Sequence, residues 1–460
     1  MQPTAHEPAP GPARATAATA GPHLRPEPLV VLPDGTVKQV SPLTGTVVWT
    51  IPGRAYRPFD AARSDRRPVD PTAAGRLCAF CPDRMLETPP EKSRLVTSTT
   101  GASSVLTDVR AEHITGTVAE FRRIPNLFEI LTVEFWRANH GYEFPADVVE
   151  RARAYASTPG GRAHVLAVLR RRLGASMSDA QWDASAGHML ERHGVDLFAG
   201  SHDVIVARRH LVDGAAYDDE LAGSGTLSPH EHAQYVAFTV EALRSLYTTQ
   251  PHARYVAVFQ NWLRPAGASF DHLHKQLVAI DEHGPQVDRE LALLRDEPDL
   301  FTTRVVDHAA THRLVVAENE HAIAVAGVGH RYPSLEIYST SAHQLPWEHT
   351  ADEQRAVSDL LHALHAATGT HIPTNEEWHH RPVAERTAMP WRITLKWRVS
   401  TLAGFEGGTR INVNTIDPYA IRERVVGELR ALREAGRIAD VRIGDECSHR
   451  PGALGYTRPA

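Results

Sequence analysis

Residues 258–276 read VFQNWLRPAGASFDHLHKQ. The stretch opens apolar, turns through a Pro/Gly segment, and closes on His272, His274 and Gln276 at every second position. Two strands joined by a turn account for this pattern, because a strand sends successive side chains to opposite faces. His272, His274 and Gln276 then share one face, and Leu273 and Lys275 point away from it. Such a face is either chemical or merely solvated, and the rest of the chain decides which.

The chain has 460 residues, 42% hydrophobic and 23% charged, with a net charge of −6. This length accommodates two or three domains with real cores. The charge argues against non-specific nucleic-acid binding, which needs a basic face. Only four lysines occur (Lys38, Lys92, Lys275, Lys396), which makes Lys275 beside the histidines conspicuous. The three cysteines, Cys78, Cys81 and Cys447, make no disulfide framework and fit a reducing cytoplasm. No apolar run approaches the ~20 residues of a membrane span. Residues 1–28 are Pro- and Ala-rich without an apolar signal core, and a disordered tail is expected there.

Outward from the opening stretch, apolar alternation in LVVLPDGTVKQVSPLTGTVVWTI (29–51) predicts a hairpin or meander. CAFCPDRMLETPPE (78–91) reads as a Cys-bearing loop, FRRIPNLFEIL (121–131) as a strand entering a loop, and residues 144–195 as a charged helical block. DVIVARRH predicts a strand ending at His210. The next helix carries a capping box, Ser228 to Glu231, with Pro229 at its first position. The second half repeats the order more weakly: strands RLVVAE, AIAVAG and SLEIYSTSAH, a helix capped by Thr350 and Glu353, and the strand WRITLKWRV. The expected fold is α+β, with one unit duplicated in tandem and helices flanking antiparallel sheets. The boundaries read as a catalytic half at 29–300, holding the helical insertion, and a substrate-binding half at 301–460.

Cys78 and Cys81 form a C-x-x-C pair, which suits a zinc half-site, a redox pair or two buried structural cysteines. Redox motifs start helices, whereas Pro82 after Cys81 suggests a loop. Among 27 histidines, His210 at a strand end and His272 at the head of the triplet stand out as partners. A closed Cys₂His₂ site would be structural. His274, roughly 7 Å further along an extended strand, lies too far to join it. A neutral imidazole is a competent nucleophile toward phosphorus. Gln276, Ser269 and Asn261 could donate to the phosphate oxygens.

The opening stretch resembles the active-site strand pair of the galactose-1-phosphate uridylyltransferases and their nucleotide-sugar phosphorylase relatives, a branch of the histidine-triad-like superfamily with an H-x-H-x-Q motif. PLTGTVVWTIPGRAYRP, with Arg54 and Arg57, is similar to that family's N-terminal strand, and CAFCPDRMLETPPE to its zinc loop. IPNLF, with Asn126, resembles its nucleotide-contacting segment, HDVIVARRH its zinc-ligand strand, and LAGFEGGTRINVN, with Glu406, its hexose-contacting segment. The resemblance covers most of residues 35–415. It implies one structural zinc on Cys78, Cys81, His210 and His272, and His274 as the nucleotidylated nucleophile. Gln276 and Ser269 would contact phosphate, and Arg54, Arg57, Asn126, Asn261 and Glu406 the substrate.

The implied reaction moves a nucleoside monophosphate between a nucleotide sugar and a sugar 1-phosphate, as a hexose-1-phosphate uridylyltransferase does. The alternatives are a phosphorylase using inorganic phosphate, a hydrolase, and a non-catalytic nucleotide binder. The family pattern also allows a homodimer. The chain departs from that pattern in Leu273 and Lys275, in the helical block, and in PWRITLKWRV, which replaces a His-rich strand and predicts that a second metal is absent.

Overall fold

The computed structural model describes residues 27–52, 66–98, 101–400, 403–448 and 450–459. Its strands are β1 (Leu29–Val31), β2 (Val37–Val40), β3 (Val47–Thr50), β4 (Ser93–Thr97), β5 (Ser103–Thr107), β6 (Ala119–Pro125), β7 (His202–Ala207), β8 (Tyr255–Trp262), β9 (His274–Ile280), β10 (Val315–Glu318), β11 (Ala322–Ala326), β12 (Ser334–Ser339), β13 (Thr374–His379), β14 (Arg392–Trp397), β15 (Ile411–Asn414) and β16 (Arg442–Ile443). Twelve of them form one antiparallel sheet in the order β16-β10-β11-β12-β14-β13-β8-β9-β7-β6-β4-β5. The run β4-β6-β7-β9-β8 is matched by β10-β11-β12-β14-β13, and the two runs meet where β8 pairs antiparallel with β13. The fold is therefore α+β and internally duplicated.

Helices α1 (Val133–His140), α2 (Ala146–Ala156), α3 (Pro159–Leu173), α4 (Asp179–His193) and α5 (Asp196–Ala199) lie between β6 and β7. They enclose a core of their own around Val165, Val168, Leu169, Trp182 and Phe198. The block grips the chain just beyond the cysteine loop: His164 Nε2 donates to the Thr88 carbonyl at 2.8 Å and Arg171 to the Glu87 carbonyl at 3.0 Å. Helix α6 (Pro229–Thr249) connects β7 to β8; α7 (Pro285–Asp296) and α8 (Asp307–Thr311) follow β9. Helix α9 (Ala351–Thr368) connects β12 to β13, and α10 (Gly404–Thr409) and α11 (Pro418–Glu434) close the chain. Both expected capping boxes are present, Ser228 with Glu231 and Thr350 with Glu353.

Helices α6 and α9 pack together over one face of the sheet. Lys275 points to that face, where it is fully buried and ion-paired with Glu376, whose other oxygen takes the His365 Nε2 at 2.8 Å. The alternation in β9 therefore turns His274 and Gln276 to the opposite face. Strand β13, TNEEWH, was not expected from the sequence. Its polar residues break the apolar pattern, yet Glu376 is buried because Lys275 neutralises it.

The N-terminal meander is as expected, but its sheet is completed from the far end of the chain, with β15 pairing parallel to β3. The meander also rests on the second half. Gly329, at φ +74°, lies so close to Ser41 that a Cβ would fall 2.1 Å from the Ser41 backbone nitrogen.

Three local expectations need correction. Strand β7 ends at Ala207, and His210 sits three residues beyond it, where its carbonyl accepts from Ala222 N–H at 2.9 Å. Strand β9 starts at His274, so His272 lies on a bend ahead of the strand. The residues after Cys81 form a 3₁₀ helix, Pro82–Glu87. Proline has no N–H to waste at a first helical position, so Pro82 starts this turn where it was expected to prevent one.

Candidate functional site

Cys78 and Cys81 on the loop, His210 beyond β7 and His272 before β9 converge, and their ligand atoms all lie within 4.8 Å of one another. The sulfurs are 3.8 Å apart, His272 Nδ1 is 3.5 and 3.7 Å from them, and His210 Nδ1 is 3.5 Å from Cys81 Sγ. A tetrahedral zinc with bonds of ~2.3 Å to sulfur and ~2.0–2.1 Å to nitrogen has edges of about 3.8 and 3.6 Å. The donor set thus fits that ion, and the four residues form a group that could hold a metal. His272 Nε2 lies 2.7 Å from the Ala207 carbonyl, which can only accept. The proton therefore sits on Nε2, and Nδ1 is left to ligate. The Cys78 thiol hydrogen-bonds the Cys81 sulfur, which holds Cys81 down and pushes Cys78 up.

His274 is also fixed in one tautomer. Its Nδ1 lies 2.7 Å from the His272 carbonyl, so Nδ1 carries the proton and Nε2 keeps its lone pair. Burial lowers this imidazole to about 4, which leaves it neutral near pH 7. The Phe80 ring packs 5.2 Å from it, so the cysteine loop also forms a wall against this imidazole.

Next to His274 on the same face is Gln276. Ile130 N–H reaches His202 Nδ1 at 3.3 Å, which puts the ring proton on Nε2, 3.0 Å from Gln276 Oε1. Asn126 Nδ2 stands 3.0 Å from that nitrogen and 3.5 Å from Gln276 Oε1. With its oxygen engaged, Gln276 has its amide NH₂ left to donate elsewhere. On β8, Asn261 lines a cavity of about 560 Å³, together with Phe259, Asn375, Glu377, His379 and Arg398.

The family model for a domain of unknown function, DUF4921, matches residues 32–456. The chain belongs to the DUF4921 family. This DUF4921 chain is 27% identical over 173 residues to an ADP-glucose phosphorylase of Arabidopsis thaliana, a match covering 36% of the chain and 49% of the relative. It thus spans about half the length of that curated relative. A crystal structure of an Arabidopsis thaliana ADP-glucose phosphorylase with bound ADP-glucose shares its fold at TM-score 0.54 and 18% identity, over 85% of this chain and 97% of the other. A GalT-like protein of Arabidopsis thaliana does so at TM-score 0.52 and 17% identity, over 84% and 97%. The uridylyltransferase and phosphorylase resemblance read from the sequence is borne out by these relatives and this fold.

Of the residues singled out in the sequence, the DUF4921 fold gathers Cys78, Cys81, His210 and His272 into one group, and Asn126 with Gln276 into a second beside His274. Ser269 is exposed on the loop before His272. Glu406 accepts from Ala403 N–H at 3.1 Å, capping α10, which packs on β15 of the small sheet. Arg54 and Arg57 lie outside the described residues. Sequence reasoning missed His202, Phe80, Asn375 and Arg398. His202 opens the quoted HDVIVARRH, but only the pairing of β7 with β9 brings it to Gln276. Among the described residues, no helix is long and apolar enough to cross a membrane.

Proposed function

We propose that this chain transfers a nucleoside monophosphate from a nucleotide sugar to a phosphate-bearing acceptor through a covalent adduct on His274. The observation that carries the reading is the His274 ring itself: neutral, protonated on Nδ1, with the Nε2 lone pair on the face that holds Gln276 and Asn261. Nε2 attacks the α-phosphorus, the bond to the bridging oxygen breaks, and the sugar phosphate leaves with the electron pair. An acceptor phosphate oxygen then attacks the same phosphorus, the P–N bond breaks, and the neutral imidazole returns. The amide groups of Gln276 and Asn261 donate to the phosphoryl oxygens as charge builds on them. Ser269 contacts phosphate from the loop, and Asn126, Arg54, Arg57 and Glu406 contact the rest of the substrate.

A zinc ion on Cys78, Cys81, His210 and His272 supplies a structural crosslink. Those residues tie the loop to the entrance of β9 and hold the His272 carbonyl that orients His274.

The acceptor is a hexose 1-phosphate, as in the uridylyltransferases, or inorganic phosphate; the ADP-glucose phosphorylase relative supports the second equally. The test is incubation with UDP-, GDP- and ADP-glucose, followed by intact-mass measurement. A mass gain of one nucleoside monophosphate on the wild type, absent from His274→Ala, is expected. Nucleotide binding without any adduct would replace this reading with a binding protein. Adding inorganic phosphate or galactose 1-phosphate to the adduct then identifies the acceptor by its product, and free nucleotide without either would mark a hydrolase.

A further inference from the structure

Strand β13 brings Asn375 beside Asn261 on β8, since the two are paired residues across the centre of the sheet. Three hydrogen bonds run through this point. Arg398 Nη1 lies 2.6 Å from Asn375 Oδ1, Asn375 Nδ2 lies 2.8 Å from the Ala266 carbonyl, and Asn375 Nδ2 lies 2.7 Å from Asn261 Oδ1. The two outer partners have no freedom of role. A guanidinium only donates, so Asn375 must offer it oxygen; a backbone carbonyl only accepts, so Asn375 must offer it nitrogen. Asn375 can then be turned only one way, and Asn261 must meet its NH₂ with oxygen. The Asn261 NH₂ is thereby turned outward, toward Gly267 of the loop leading to His272.

Arg398 is suited to anchor the chain. Its backbone N–H donates to the Pro373 carbonyl at 2.8 Å, and its guanidinium lies 4.6 Å from the Tyr332 ring centre. Other cations of the sheet are neutralised: Lys396 by Glu377 at 2.6 Å and Arg392 by Glu290 at 2.6 Å. Among the described residues no carboxylate pairs with Arg398, so its strongest hydrogen bond goes to Asn375.

We propose that Asn375 and Arg398 are positioning residues, which lock the Asn261 amide with its NH₂ presented to the cavity as a donor to a transferring phosphoryl group. Gln276 is locked in the same sense from the other side, by His202. Two amides with their oxygens tied back thus flank the His274 strand entrance. This inference rests on the reading of His274 as the nucleophile, since that is what gives an oriented donor its use.

The test follows adduct formation from ADP-glucose in single turnovers of the full chain. Asn375→Asp keeps an oxygen for Arg398 but can donate neither to the Ala266 carbonyl nor to Asn261, which must then turn its NH₂ inward. Loss of one preorganised donor predicts a slowing of roughly 100-fold, equal to that of Asn261→Ala. In the Asn261→Ala background, Asn375→Asp is expected to cost nothing further. Arg398→Lys, which still donates, falls less than Arg398→Met. Multiplying effects of the two asparagine changes, or Asn375→Asp within twofold of wild type, would overturn the proposal. Selective ¹⁵N labelling of asparagine gives a readout that needs no turnover. The Asn375 amide protons are expected to exchange slowly with D₂O and those of Asn261 quickly, and Asn375→Asp should slow the Asn261 protons. The opposite pattern overturns the relay, whereas a wild type that captures no nucleotide counts against the nucleophile reading alone.

Discussion

His274 and Lys275 are neighbours in the chain and face opposite sides of the sheet, and each is committed by one contact. The His272 carbonyl fixes the tautomer of His274; Glu376 neutralises Lys275 in the dry space under α6 and α9. Burial would push the Glu376 carboxyl up, but the Lys275 charge and the His365 hydrogen bond outweigh it and hold the group well below the usual range. Removing one partner leaves a buried charge without a mate. Glu376→Gln is therefore expected to lose about 3–5 kcal/mol in urea unfolding, while a joint Lys275→Met, Glu376→Leu change recovers much of it. A carboxylate with a lowered folded pKa lends stability above its unfolded pKa and loses it as pH falls, so the Glu376→Gln penalty shrinks toward acid pH. At the cysteine loop, elemental analysis is expected to give one zinc per chain for the wild type and none for Cys78→Ser.

The helical block from α2 to α5 is the largest element with no counterpart in the expected fold pattern, and its charged junction with the sheet is testable. Glu129, between β6 and α1, has a side chain only 2% exposed, 3.7 Å from Arg172 of α3. Burial dominates, and the carboxyl is pushed up to about 7. The folded state thus keeps a proton that the unfolded chain releases near pH 4.3. That contribution is full below the unfolded pKa and is lost as pH rises through the folded value. From pH 5 to pH 8 the wild type should lose stability relative to Glu129→Gln, by about 3 kcal/mol at 1.36 kcal/mol per unit. Thermal melts of both proteins across that range check it, and a constant difference would refute the assignment. The glutamine can still accept from Ser201 N–H, which Glu129 Oε1 meets at 3.1 Å.

At the scale of the molecule, the duplicated halves share one sheet, and the seam is the β8–β13 pairing that carries Asn261 and Asn375. Splitting the chain would leave β8 as a long, largely buried strand with a bare edge, and would take β15 from the N-terminal sheet. Residues 27–300 and 301–459 produced separately are therefore expected to aggregate, and to give a soluble complex only when co-expressed, as light scattering would report. Much of this architecture is legible in the sequence, because capping boxes and apolar runs are local: Ser228 with Glu231, Thr350 with Glu353, and the spans of β8 and β11 read directly, whereas β12 stops at Ser339, short of the expected His343. Strand β13 was not legible, because Glu376 sits in it and its neutralising lysine is 101 residues away.

By itself the sequence determined the residue types and the local geometry: a cysteine pair at ligand spacing, His274 and Gln276 on one strand face, Lys275 turned from them. Spacing along the chain is enough there, since a strand's alternation acts over two residues. The tertiary structure alone decided that His202 engages Gln276 and that Arg398 reaches Asn261 through Asn375. Those contacts join segments whose separation in sequence carries no distance information, and they exist only once the strands have taken their order and register.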